Sequence, residues 1–274
     1  MRVTQQEKAA RFRALHTSAG PFIIPNPWDV GSARILVGLG FKALATSSAA
    51  SASAMGRKDR ELTREQALAH SRLIVDATDL PVSADLENGF GDSPEAVAQT
   101  IQLAAEAGLV GCTIEDTTGS EDRPLYDTAL AVERIAAAVE KARALPFPFI
   151  LTARAHNLLY AAPSLQETIS RLQAFEAAGA DVLFAPGLPD LAAVASVCAA
   201  VSKPVNFMVG IKGKSFSVGE LAAAGVRRIS LATSLYRAAM TGLLEAASEV
   251  RDKGSFTFLD RCVTTAEVNT IMQI

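Results

Sequence analysis

The sequence predicts a single (β/α)8-barrel domain over residues 1–274. Short apolar runs alternate with longer helical patterns along the whole chain, as repeated βα units require. There are eight such runs, which is the strand number of a closed parallel barrel. The length of 274 residues lies within the range in which such a barrel forms one domain, and no Pro-, Gly- or Ser-rich linker divides the chain.

The composition indicates a cytoplasmic protein that works on small molecules. Apolar residues make up 49% of the chain and aromatic residues 6%, which suits parallel strands buried on both faces. A net charge of −3 gives no basic field, so we expect neither nucleic acid nor a membrane surface as a partner. No apolar run reaches the ~18 residues of a membrane span, and the charged N-terminus lacks the apolar core of a signal peptide. The three cysteines have no metal-like spacing, which predicts reduced thiols.

The predicted elements follow one another in a regular order. A charged amphipathic pattern over residues 1–16 predicts a helix that precedes the barrel. The eight predicted strands cover residues 22–25, 43–47, 82–87, 111–115, 149–154, 182–185, 205–209 and 228–231. The helices between them are predicted over residues 29–39, 63–76, 93–106, 128–144, 165–178, 189–199 and 218–223. Two further helices, over residues 233–251 and 264–274, form a C-terminal extension.

Local signals support these boundaries. Asp92, Ser93 and Pro94 place capping oxygens and an early proline at the start of one helix. The segments EAGLVG, EAAGADV and AAAGVRRI each put a glycine where a helix ends before a strand. The recurrence of this signal indicates a recurring βα unit.

Charged residues stand at the C-terminal ends of three neighbouring predicted strands, where the active sites of barrels lie. Asp85 and Glu87 end the third strand, Glu115 ends the fourth, and Arg154 and His156 end the fifth. Because side chains alternate along a strand, Asp85 and Glu87 should share one face, and so should Arg154 and His156. Three carboxylates at one mouth repel one another unless a cation is present, and oxygen ligands suit Mg2+. The sequence therefore predicts a Mg2+ site, with Mn2+ as the alternative metal, at Asp85, Glu87 and Glu115.

These motifs resemble, in the same order, those of the isocitrate lyase/phosphoenolpyruvate mutase superfamily. The segment DLENGFG over residues 85–91 is similar to its metal-site motif D-x-D-x-G-[FY]-G, except that Glu87 stands where the motif has a second Asp. The segments IED over residues 114–116 and AR over residues 153–154 are similar to two further motifs. The resemblance covers nearly the whole chain and implies a Mg2+-dependent barrel enzyme.

Further residues are candidates for contact with a substrate. Ser47, Ser48 and Ala49 resemble the superfamily's substrate-binding turn, and Asp59 resembles the Asp of its G-x-x-D motif. Asp59 is therefore a candidate catalytic or substrate-shaping residue, with a surface ion pair as the alternative. Asn206, near the end of the seventh predicted strand, is a candidate hydrogen-bonding partner of the substrate, with a structural turn as the alternative.

Arg154 and His156 are candidate catalytic residues. A planar guanidinium beside a metal suits a substrate carboxylate or a developing enolate, and the alternative for Arg154 is a scaffold ion pair with Glu115. The superfamily usually has Asp or Glu at the position of His156, so the imidazole here introduces a group that can titrate near neutral pH. We interpret His156 as an acid/base or as a group that holds Glu115 in place, and we prefer the second interpretation.

The segment after the fourth predicted strand limits the reaction. Isocitrate and methylisocitrate lyases of the superfamily carry K-[KR]-C-G-H there, whereas residues 117–126 (TTGSEDRPLY) contain no Lys, Cys or His. Isocitrate cleavage is therefore not expected, and the segment is a candidate lid. The predicted function is a Mg2+-dependent lyase that acts on a small 2-oxo acid through a metal-stabilised enolate, by oxaloacetate-like decarboxylation or by other C–C cleavage. The alternatives are a phosphoenolpyruvate or phosphonopyruvate mutase or hydrolase, and a metabolite-binding barrel without turnover.

The resemblance also implies a homo-oligomer, a dimer or tetramer, in which a C-terminal helix is swapped between neighbours. Residues 233–251 and 264–274 are helical and apolar enough for that role.

Overall fold

The computed structural model describes residues 3–160, 164–214 and 216–273. Within these ranges the strands are β1 Phe22–Ile24, β2 Leu44–Ala45, β3 Val82–Asp85, β4 Gly111–Glu115, β5 Ile150–Arg154, β6 Val182–Phe184, β7 Val205–Met208 and β8 Arg228–Ser230. They form one parallel sheet in the order β1-β8-β7-β6-β5-β4-β3-β2. The sheet closes into a barrel because the backbone N–H of Ala45 donates to the carbonyl of Pro25, just beyond β1. The predicted (β/α)8 fold is confirmed.

Helices alternate with the strands, as the sequence predicts. In the described ranges they are α1 Gln5–His16, α2 Val30–Gly38, α3 Ser48–Ala54, α4 Arg64–Asp76, α5 Pro94–Glu106, α6 Thr128–Arg143, α7 Leu165–Ala177, α8 Leu191–Ala200, α9 Val218–Ala223, α10 Ser234–Lys253 and α11 Thr265–Ile271. Two short 3-10 helices cover Asn157–Leu159 and Thr257–Arg261. Residues 1–2 of the first predicted helix and residue 274 of the last lie outside the described residues.

Side-chain oxygens cap the first turn of most of these helices and so define the residue at which each helix begins. Asp29, Thr63, Ser93, Asp127, Ser164, Asp190 and Ser217 each accept a hydrogen bond from a backbone N–H three residues further on.

Two strands, β2 and β3, end two residues earlier than the sequence predicts. β2 ends at Ala45 rather than at residue 47, because Ser47 caps the unpredicted helix α3 by accepting from the backbone N–H of Ala50. β3 ends at Asp85 rather than at residue 87, because Glu87 adopts a left-handed backbone with φ 51°. The alternation of side chains therefore does not continue from Asp85 to Glu87. The prediction that β3 extends through residue 87 was wrong.

Helix α1 closes the N-terminal end of the barrel. Ala9 and Phe12 on α1 pack against the start of several strands and are fully buried. The other buried members of this apolar cluster are Ile24, Ala43, Val110, Ile150 and Val182. The opposite, C-terminal end of the barrel carries the loops and remains open.

The C-terminal extension has two parts with different surroundings. Helix α10 has 20 residues, and none of them is buried. Helix α11 returns to α2 of the same chain, where Gly38 lies directly against the Ile271 backbone and leaves no room for a side chain. Among the described residues, no helix is both long and apolar enough to cross a membrane.

Candidate active site

A cavity of about 200 Å³ opens at the C-terminal mouth of the barrel and extends into its interior. Seven of the residues singled out from the sequence line it: Ser47, Ser48, Ala49, Asp59, Asp85, Arg154 and Asn206. Glu87, Glu115 and His156 lie outside this lining. The strands thus bring most of the predicted site to one place, while three charged or titratable residues stand around it.

Asp85 is the carboxylate at the wall of the cavity. Its Oδ2 lies 3.2 Å from the Ser48 hydroxyl and 3.4 Å from the Ser48 backbone N–H, which both donate to it. Its Oδ1 accepts from the backbone N–H of Glu87 at 3.3 Å, and Arg154 Nη1 lies 3.8 Å from Oδ2. Burial raises the pKa of Asp85 above its usual range, Arg154 opposes that shift and the charge of Glu115 adds to it. Asp85 therefore has one cation close to it, Arg154, which it shares with Glu115 and which does not fully offset its burial.

Glu87 follows in a turn and not in the strand. Burial and the charges of Asp85, Asp59 and Glu115 together raise the pKa of Glu87 to about 8, against a smaller lowering by Arg60. Three carboxylates therefore act on a fourth, although the strand alternation that predicted their proximity does not hold. An excess of negative charge at this mouth is what a divalent cation would offset.

Glu115 differs from Asp85 because both of its carboxylate oxygens face several donors or cations of the protein. Its Oε1 accepts from Arg60 Nη2 at 2.9 Å and from the Thr117 hydroxyl at 2.6 Å. Its Oε2 lies 3.3 Å from Arg154 Nη1 and 3.3 Å from His156 Nδ1. Burial alone would raise the pKa of Glu115, but Arg154 and the hydrogen-bonding groups outweigh it and hold the pKa well below its usual range. In this structure Glu115 is the centre of an ion-pair network rather than a free ligand.

Arg154 and His156 form one unit with Glu115. Arg154 Nη2 lies 2.5 Å from His156 Nε2, and because a guanidinium has only donors, Nε2 must be the accepting nitrogen. The other ring nitrogen, Nδ1, faces Glu115 Oε2 at 3.3 Å. The ring of Phe184 lies 4.9 Å below the guanidinium carbon, so the plane of Arg154 is fixed from one side.

The backbone of the same segment is also tied down. The backbone N–H of His156 donates to Asp116 Oδ1 at 2.8 Å, and Asp116 Oδ2 pairs with Arg171 Nη1 of α7 at 3.2 Å. Asp116 of the IED segment is thus a scaffold residue that joins the ends of β4 and β5. Asn157, which follows His156, is buried, and its amide bonds with Thr168, away from the cavity.

The turn that carries Glu87 is held by a buried arginine that no sequence motif singles out. Arg134 of α6 is 1% exposed and donates to the carbonyls of Asn88, Gly91 and Asp92. Its guanidinium lies 4.1 Å from the ring centre of Tyr126, whose hydroxyl donates to Asp92 at 2.5 Å. The turn is therefore a rigid part of the barrel.

Asp59, Arg60 and the candidate lid border the mouth. Asp59 is exposed and makes no ion pair with another described residue, so the surface ion pair considered for it is not observed. Arg60, next to it, reaches across to Glu115 and was missed because a Lys/Arg-rich surface segment gives no sign of its target. The segment 117–126 folds on itself through a bridge between Thr117 and Leu125, and the backbone N–H of Tyr126 donates to the carbonyl of Asp116.

The donors at the mouth fit a divalent cation in part. No group of three His, Cys, Asp or Glu side chains in the described ranges is arranged to hold a metal ion. Asp85 and Glu87 nevertheless provide carboxylate oxygens whose charged forms a cation would stabilise, and Mg2+ commonly takes one or two carboxylates and keeps its remaining ligands as water. These two residues fit Mg2+ or Mn2+, whereas Glu115 would have to release a protein partner to become a direct ligand.

Comparison with known proteins gives consistent results over the whole chain. The model of the phosphoenolpyruvate phosphomutase family matches residues 12–251. A Burkholderia cenocepacia protein, provisionally described as a lyase or mutase, is 53% identical, with a TM-score of 0.95 and coverage of 97% of this chain and 96% of that one. An oxaloacetate decarboxylase of Pseudomonas savastanoi pv. phaseolicola is 30% identical over 257 residues, 91% of this chain and 87% of that protein. The structure of an oxaloacetate acetylhydrolase with the product oxalate is 26% identical, with a TM-score of 0.88 and coverage of 99% and 96%.

Proposed function

Because the chain belongs to the phosphoenolpyruvate phosphomutase family, within the isocitrate lyase/phosphoenolpyruvate mutase superfamily, we propose that it is a Mg2+-dependent lyase that cleaves a carbon–carbon bond of a small 2-oxo acid. The observation that carries the proposal is the position of Arg154, whose guanidinium lines the cavity beside Asp85 and is fixed by Glu115, His156 and Phe184.

The division of labour follows from these contacts. Asp85 and Glu87 would hold a divalent cation, which when bound would supply positive charge to polarise a 2-oxo group. Arg154 offers its planar fork to the oxyanion that develops as the bond breaks, and it needs no reorganisation because its plane is already set. Glu115 and His156 act through Arg154, so we assign them positioning roles. Ser47, Ser48 and Ala49 line the cavity near Asp85 and would contact the acid end of the substrate. Asp59 would shape the entrance.

The cation requirement and the substrate class can be tested together. Turnover of a panel of 2-oxo acids should require Mg2+ or Mn2+, and calorimetry should show that Asp85→Ala loses cation binding. Equal Mg2+ binding by the wild type and the variant would show that the proposed site is wrong. Binding of 2-oxo acids without any turnover would instead identify a metabolite-binding barrel.

Phosphorus–carbon bond chemistry is the second candidate, because the family model that matches is that of a phosphomutase. Phosphonopyruvate therefore belongs in the same panel. Its conversion, with no reaction of the 2-oxo acids, would replace the lyase proposal with a mutase or hydrolase.

The proposal includes a cytoplasmic homo-oligomer, a dimer or tetramer. Exposed apolar side chains of the C-terminal extension support the assembly: Leu243, Leu244 and Val250 on α10, followed by Phe256, Leu259 and Val263. A concentration of exposed apolar side chains in one segment is typical of an interface between subunits. Light scattering should give a multiple of the chain mass, and Leu244→Glu should lower it.

A further inference from the structure

The inner end of the cavity contains a buried cation whose charge no neighbouring group balances. Arg228, the first residue of β8, is 4% exposed and lines the cavity. Its Nε donates to Asn206 Oδ1 at 2.8 Å, but its Nη1 has no hydrogen-bond partner among the described residues. No carboxylate in the described ranges pairs with it.

Such an arrangement is unfavourable unless an anion completes it. Burial lowers the pKa of Arg228 to about 9, and no acidic group opposes that shift, yet the guanidinium still carries its charge at neutral pH. An unpaired buried charge is destabilising, and native structures normally pair it. Two other buried arginines have more partners: three backbone carbonyls accept hydrogen bonds from Arg134, and Asp116 pairs with Arg171.

The space around Arg228 belongs to the same cavity as the mouth. Ala45 and Ser83 line it, and their small side chains leave the barrel interior open. Asn206 and Ser230 line its inner end, with the Asn206 amide donating to the Ser230 hydroxyl at 3.0 Å. One ligand could therefore face Asp85 and Arg154 at the outer end and Arg228 at the inner end.

We propose that Arg228, with Asn206 and Ser230, forms a subsite for a second carboxylate of the substrate, so that the substrate class is a 2-oxo dicarboxylic acid. This inference rests on the proposed function, which places the 2-oxo end of the substrate at Asp85 and Arg154. The guanidinium Nη1 and the amide and hydroxyl beside it supply the donors that a carboxylate requires.

The test compares two acids of equal chain length that differ only in the distal carboxylate, 2-oxoglutarate and 2-oxopentanoate. Calorimetry with Mg2+ should show that the wild type binds the diacid on the order of 10- to 100-fold more tightly, the range for a hydrogen-bonded buried charge. Arg228→Met should reduce that ratio to about 2 or less, chiefly by weakening binding of the diacid. Arg227→Met is the matched control, because it removes the same charge from the adjacent, exposed position and should keep the wild-type ratio.

A second variant guards against misfolding of the first. Asn206→Asp places a carboxylate beside Arg228, so it should raise the melting temperature and abolish the preference for the diacid. The proposal is overturned if the wild type has no such preference or binds neither acid, or if a folded Arg228→Met or Asn206→Asp protein keeps the preference.

Failure of the proposed function gives a different result. In that case Mg2+ would change the affinity of neither acid, and no acid in the panel would turn over. The ratio between the two matched acids would still report on Arg228 by itself.

Discussion

The same eight strands form both ends of the barrel interior, but one end is apolar and the other is charged. At the closed end, Phe12 of α1 is fully buried and packs edge to face with His16 and Phe22, at ring-centre distances of 4.7 and 6.3 Å. At the mouth, burial and neighbouring carboxylates both disfavour the charged forms of Asp85 and Glu87. Aromatic and apolar packing dominates the closed end, whereas unfavourable electrostatics dominate the mouth.

The first prediction concerns the closed end, where the largest effect on stability is expected. Phe12→Ala should lower the free energy of unfolding by about 3–5 kcal/mol, because it leaves a cavity under the barrel. Denaturant unfolding measures the change, and Leu39→Ala, at a side chain that is 62% exposed, is the control. A loss below about 1 kcal/mol would mean that α1 is not the plug of the barrel.

The second prediction concerns the mouth, where turnover and stability should separate. Arg154→Lys keeps the charge but loses the planar fork, so turnover should fall on the order of 10²- to 10³-fold. The free energy of unfolding should fall by only about 1–2 kcal/mol. If the folded variant kept wild-type turnover, Arg154 would be a scaffold residue.

The third prediction uses the titration of a group at the closed end. Burial, assisted by the charge of Arg228, lowers the pKa of His16 to about 3. Below about pH 6.5 the His16 side chain takes up a proton in the unfolded chain but not in the folded chain. The free energy of unfolding is therefore unaffected by His16 above pH 6.5 and falls as the pH drops below that value. At pH 5 the loss should be about 2 kcal/mol.

The variant His16→Phe keeps an aromatic ring at that position and removes the titration. Its unfolding free energy should therefore lack this part of the decline between pH 7 and pH 5. An unchanged pH slope would place the titrating group elsewhere in the chain.

The smallest expected effect is again at the mouth. Thr117→Val removes the hydroxyl that donates to Glu115 Oε1 at 2.6 Å, and Arg60 still donates to the same oxygen. The free energy of unfolding should therefore fall by only about 1 kcal/mol, as measured by denaturant titration. A loss of several kcal/mol would show that Thr117, and not the arginines, holds the buried carboxylate in place.

The fold could be predicted from the sequence because its signals are local. An apolar run followed by a capping residue, and a glycine before the next run, each mark a boundary within a few residues. Helix α3 was not predicted because its sequence, SAASASA, has neither an apolar stripe nor charged residues to distinguish it from a loop. The early end of β3 was not predicted because a glutamate with a left-handed backbone conformation has no sequence signal comparable to glycine.

The site could be predicted only where strand ends place residues together. Asp85 and Arg154 follow from the register of β3 to β5, which is a property of the fold. Arg60 and Arg134 reach their partners through long side chains from elements that are distant in the sequence, and no spacing in the sequence encodes that reach.

The turn after β3 stores conformational strain in two residues that are not glycine. Glu87 and Phe90 have φ values of 51° and 58°, a region that costs side chains on the order of 1 kcal/mol each. At position 87 a glycine would relieve the strain and also remove a carboxylate from a crowded negative cluster. A library of variants sorted for heat resistance alone should therefore enrich Glu87→Gly, while one sorted for turnover should keep an acidic residue there. At position 87, selection for thermal stability and selection for catalysis should therefore favour different residues.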